Sequence, residues 1–112
     1  MPSPAVLAAI ASPRRREILR LVWDRERAAG DIHRALADVS FGAVSQHLKV
    51  LESAGLVARR DKGRFHLYVA RRRELGHLGK WLEAMWDEAL SDLKRHAESE
   101  EKTRRRRRGG NR

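Results

Sequence analysis

The side chains best suited to chemistry sit in one short run, Ser40-Phe41-Gly42-Ala43-Val44-Ser45-Gln46-His47-Leu48-Lys49-Val50-Leu51. Val44, Leu48 and Leu51 recur at steps of four and three, the spacing of one buried helix face. Ser45, Gln46 and Lys49 fall off that face. A side-chain amide offers a donor and an acceptor together and matches the edge of adenine, a hydroxyl serves either kind of base edge, and an ammonium suits phosphate. This is the chemistry of reading double-stranded DNA. Gln46 is the first candidate for a base contact and Ser45 the second, while His47 and Lys49 fit phosphate contacts. Two readings of Phe41 stand, contact with a thymine methyl or packing as an apolar staple against its own helix. For the whole set, the plain alternative is a solvated helix face.

Local signals position this run. Ser40 is placed to accept a backbone N–H of the first turn as N-cap, and Gly55 follows the last apolar turn, where a left-handed residue usually ends a helix. Downstream, Leu56 to Ala70 reads as two short strands around Lys62-Gly63, with Phe65, Leu67 and Val69 alternating with His66, Tyr68 and Ala70. Arg59, Arg60, Lys62 and Arg64 cluster at the tip of that hairpin, with only Asp61 opposing them in the hairpin sequence. Arg60, Lys62 and Arg64 suit the DNA backbone, or act simply as solubility charges. Upstream, Ala5 to Ala11 is a short apolar segment. Ser12-Pro13 is a cap and first-turn pair opening a helix through Ile18, Leu19, Leu21 and Val22 that ends near Trp23-Asp24. Residues 28–37 read as a further helix, with Ile32, Ala35 and Leu36 inward and Ala37-Asp38-Val39 as the turn beyond it. Helix, short turn, helix and hairpin is the order of a winged helix-turn-helix.

The run from Val44 to Val57 resembles the recognition-helix signature of ArsR/SmtB winged helix-turn-helix repressors. Ile10 to Leu19 is similar to the first helix-turn-helix element of that family, and with the hairpin the resemblance spans residues 5–98. It implies a mainly α fold with a small β-hairpin and a long C-terminal dimerisation helix. It also implies a cytoplasmic, homodimeric repressor of transcription. The family's thiolate metal site has two cysteines two residues apart, and the matching positions here are Ala28 and Gly30. This resembles a subgroup lacking that site. The family's other metal site lies along the last helix, and its spacing is not reproduced, since the position two before His77 is Leu75. His77, Asp87, Glu88, Asp92 and His96 are better explained as an exposed face. No metal, no cofactor and no identifiable inducer follow.

The last helix, expected over Arg72 to Ser99, carries Leu75, Leu78, Leu82, Met85, Ala89 and Leu93 at near-heptad spacing, flanked by Trp81 and Trp86. A helix this long in a small domain should lack a core of its own for the whole stripe. A second copy of the same helix is the expected cover, helped by Val6, Leu7 and Ile10. A two-fold axis would then set two reading helices in successive major grooves of an inverted repeat.

Composition narrows the classes further. The 112 residues suit one domain with a modest core. There is no cysteine, which removes disulfides and thiolate chemistry. No apolar run approaches the ~20 residues of a membrane span, so no membrane partner is expected. Neither a Gly-rich phosphate loop nor a nucleophile elbow appears, so no enzyme is expected. Lys102, Arg104 to Arg108 and Arg112 supply seven positive charges, and removing them from the net +10 leaves +3 for residues 1–101. The expected organisation is a DNA-binding and dimerisation domain over 1–101 and a disordered basic tail over 102–112. Two functions fit: a sequence-specific repressor, or an architectural protein that coats DNA with weak specificity and no inducer.

Overall fold

The computed structural model describes residues 2–90. The chain divides into two compact units, the first ending at Gly79 and the second beginning at Lys80. The first unit opens with α1 (Pro4–Ala11) and α2 (Pro13–Leu21), followed by β1 (Arg27–Ala28), α3 (Ala29–Ala35) and α4 (Phe41–Ser53). The strands β2 (Val57–Lys62) and β3 (Phe65–Ala70) come next, then the single turn of α5 (Arg72–Leu75). Residues 77–90 are helical and are denoted α6. A mainly α fold with a small sheet and a helix-turn-helix ahead of a hairpin is therefore present.

Short polar residues set the helix starts. Ser3 and Ser12 each accept a first-turn N–H, from Val6 at 3.2 Å and from Arg15 at 3.3 Å, and each is followed by a proline whose missing N–H costs nothing there. Guanidinium groups close the other end of α1. Arg15 donates to the Ala9 and Ala8 carbonyls at 2.7 and 2.9 Å, and Arg16 to Ile10 at 2.8 Å. The core gathers Val6, Ala9, Ile10, Ile18, Leu19, Val22, Ile32, Leu36, Val44, Leu48, Leu51 and Leu56, all buried.

The sheet has three antiparallel strands in the order β1-β3-β2, one more than the hairpin expected from sequence. Arg27 pairs with Tyr68 and Ala28 with Leu67, so residues 27–28 are strand and α3 starts only at Ala29. A second correction concerns which face of β3 turns inward. Tyr68 is the buried residue of that strand, Leu67 and Val69 are half-buried, and Phe65 is exposed. Period-two alternation distinguishes two faces without saying which is covered, and here the phenol ring goes in.

The expected single helix from residue 72 is interrupted. Gly76 has φ +51°, a conformation that L side chains rarely adopt, and it separates α5 from α6. Leu75 and Leu78 therefore do not share one continuous stripe. Leu75 and Leu82 are buried within the single chain, Leu78 and Met85 are half-buried, Ala89 is exposed, and Leu93 lies outside the described residues. Of the expected interface residues of α1, Val6 and Ile10 are buried and only Leu7 is well exposed, at 48%. Trp81 and Leu90 are the large apolar residues that α6 leaves in water, at 53% and 49%. The basic tail over 102–112, Asp92 and His96 also lie outside the described residues.

Candidate nucleic-acid interface

The helix α4 is fixed at both ends by its own sequence. Ser40 Oγ accepts the Ala43 N–H at 3.1 Å. At the other end Gly55 adopts φ +77°, its N–H donates to Glu52, and the Leu56 N–H reaches back to Leu51, both at 2.9 Å. This is the paired Schellman closure, and the side chains of Leu51 and Leu56 are both fully buried beside it. Between these ends Val44, Leu48 and Leu51 form the buried row. At 100° per residue, Gly42, Gln46, Lys49 and Ser53 fall on the opposite side, and all four are exposed. Ser45 lies on the flank and is half-buried.

His47 and Phe41 sit differently from the outward row. The His47 Nδ1 is 3.4 Å from an Arg15 guanidinium nitrogen on α2, and the ring is half-buried. Burial, then the charges of Arg15 and Arg14, hold its pKa below the usual histidine value. The neutral form of the imidazole is thus favoured, and its Nδ1 faces α2. The Phe41 ring meets His33 of α3 edge to face, with centroids 5.6 Å apart and planes at 89°. Its other side remains open, for the residue is 50% exposed. The ring therefore packs across the helix-turn-helix rather than along its own helix.

An exposed cross-link that sequence reasoning missed joins α2 to the turn before α4. Arg14 on α2 grips both oxygens of Asp38, at 3.2 and 2.7 Å, in the turn that leads into α4. Hydrogen bonding to Arg14 keeps the Asp38 carboxyl below the usual range. A bidentate pair of this geometry fixes orientation as well as distance.

The wing is the β2–β3 hairpin, closed by Gly63 and Arg64. Gly63 has φ +60° and Arg64 does not share the positive angle, the pattern of a turn with glycine at its first central position. The cations of the wing are not equivalent. Arg60 makes a bidentate contact with Glu26, an acid from outside the hairpin that the expected cluster did not include. Arg59 lies 3.4 Å from Asp61, which also takes a 2.7 Å contact from His66. Among the described residues Lys62 and Arg64 form no ion pair, although the Glu26 carboxylate lies close enough to feel the charge of Lys62. Among the described residues no group of three or more His, Asp or Glu could hold a metal ion, and Ala28 and Gly30 stand in β1 and α3. No described helix is long and apolar enough to cross a membrane.

The geometry is that of known regulators. Residues 12–59 match the profile described as bacterial regulatory protein, arsR family. The chain is 37% identical over 92 residues to the HTH-type transcriptional regulator Rv2034 of Mycobacterium tuberculosis, spanning 82% of this chain and 85% of the relative. It is 31% identical over 88 residues to the transcriptional repressor SdpR of Bacillus subtilis, spanning 79% and 97%. A solved homodimeric winged helix-turn-helix DNA-binding domain, Mb0332 of Mycobacterium bovis, superposes with a TM-score of 0.64 at 31% identity, covering 77% of this chain and 79% of that one. The chain belongs to the arsR family of bacterial regulatory proteins, the winged helix-turn-helix DNA-binding regulators of transcription.

Proposed function

We propose that this protein is a homodimeric, sequence-specific repressor that covers an inverted-repeat operator. The observation that carries this reading is the outward row of α4, where Gln46 and Lys49 stand exposed opposite the buried Val44, Leu48 and Leu51. A helix fixed at both ends with a polar outer row is what a major groove admits. Gln46 and Ser45 meet base edges, Lys49 meets phosphate, and Lys62 and Arg64 bring the wing to the neighbouring backbone. His47 orients α4 through Arg15 rather than contacting phosphate.

Dimerisation is supported by exposed Leu7, Trp81 and Leu90. Large apolar side chains gain about 25 cal/mol per Å² on leaving water. The homodimeric state of the Mycobacterium bovis relative and the repressor role of the Bacillus subtilis one point the same way. Two-fold symmetry then calls for half-sites with centres about 34–36 Å apart.

The test begins with selection of a tight-binding duplex from a randomised library. An inverted repeat should emerge and be held against excess random duplex. Sedimentation at micromolar concentration should give double the chain mass of 12.9 kDa. Leu7→Glu with Trp81→Glu should weaken assembly and operator binding together. The arginine run Arg104 to Arg108 favours a second reading, an architectural protein that coats DNA. Failure of any sequence to emerge, with random duplex competing equally, would select that reading instead.

A further inference from the structure

Phe65 has no task in the fold. It is 62% exposed, more than any other large apolar residue among those described. It pairs with Lys62 as the last rung before the turn, and cross-strand partners share a face of the sheet. Tyr68, on the other face, is the buried residue of the strand. The ring thus stands at the narrow end of the hairpin, beside Lys62 and next in sequence to Arg64, the two wing cations without an ion pair among the described residues. A solubilising tip has no need of an aromatic ring, and a core has no access to this one.

We propose that Phe65 is an apolar wedge that the wing sets into the minor groove beside each half-site, where it leans into a partly unstacked base step. This rests on the docking proposed above. Duplex DNA shows polar groups along its groove floors and charge along its walls. Its apolar surfaces become available where a step opens, and side chains such as phenylalanine enter there. Lys62 and Arg64 supply the complementary charge, since a narrow minor groove concentrates negative potential and draws cations to it. Pyrimidine–purine steps open most readily. Phe65 therefore confers a preference at positions that no hydrogen bond reads.

The experiment uses the full chain and the selected operator, with TA, CA or GC placed at the step where the wing falls. Wild type should favour TA and CA over GC. Phe65→Ala should lose about tenfold on the TA operator, within the range for aromatic–base stacking. It should also abolish the step preference and leave the slope of log affinity against log salt unchanged. Phe65→Leu should retain most of the preference. A 2-aminopurine beside the step should brighten with wild type and not with Phe65→Ala. Unchanged affinity of Phe65→Ala, or an equal loss on every duplex together with a lower Tm, would overturn the proposal. Failure of the docking reading is distinguishable, because Gln46→Ala and Lys62→Ala would then also leave operator affinity intact.

Discussion

The Arg60 guanidinium and the Glu26 carboxylate make a two-point contact, Nε to Oε2 at 3.1 Å and Nη2 to Oε1 at 2.6 Å. The pair ties the wing to the segment that enters β1. Both groups are accessible, so it adds little to stability. Its consequence is electrostatic, for a DNA phosphate must compete with Glu26 for Arg60. Glu26→Gln keeps the shape and removes the competitor. Affinity for DNA at low salt should rise several-fold, and the slope of log affinity against log salt should steepen by up to about one unit, the value of one added phosphate contact. Unchanged salt titrations would show that Arg60 stays off the DNA. Arg60 lowers the pKa of Glu26 from its ordinary 4.5. The clamp is fully formed above that value and is lost as pH falls through the lower, folded one. Between pH 6 and 8 it should not titrate.

Both ends of α4 should be energetically visible. Ser40→Ala removes the cap on the Ala43 N–H and should cost about 1 kcal/mol. Gly55→Ala meets nothing nearer than an Arg71 guanidinium nitrogen at 3.8 Å, so its cost is that of placing a Cβ residue at φ +77°, roughly 1–2 kcal/mol. Urea denaturation measures both. A Gly55→Ala protein as stable as wild type would contradict the closure described here.

His47 should respond to pH in a defined direction. Burial beside Arg15 places its pKa below the ordinary 6.5. The folded state therefore prefers the neutral ring, and the associated stability is present above pH 6.5 and lost as pH falls through the folded value. An NMR titration of the ring protons should give a midpoint below 6.5. A midpoint above it would imply a carboxylate or phosphate partner in place of Arg15.

Much of the fold was legible in the residues, for specific physical reasons. Ser12-Pro13, Ser40 and Gly55 act on the backbone within a few residues, so sequence alone places them, and the row Val44, Leu48 and Leu51 follows from helix periodicity. The strand at Arg27–Ala28 was not legible, because two residues carry no alternation and their partners are Tyr68 and Leu67. Gly76 was a visible signal that the heptad-like spacing from Leu75 to Leu78 concealed. The inward turn of Tyr68 left Phe65 exposed, which alternation could not decide. The Arg60–Glu26 and Arg14–Asp38 pairs join distant segments, and charge counting along the chain cannot find them.

The central claim is that α4 reads bases and the wing holds the backbone. The most direct test is the affinity of Gln46→Ala and Arg64→Ala on operator and scrambled duplex across several salt concentrations. Gln46→Ala should cost about 1–3 kcal/mol on the operator and little on scrambled DNA. Arg64→Ala should weaken both duplexes and lower the salt slope by about one unit. An equal loss on the two duplexes for Gln46→Ala would contradict the account, since Gln46 would then not be a reader of sequence.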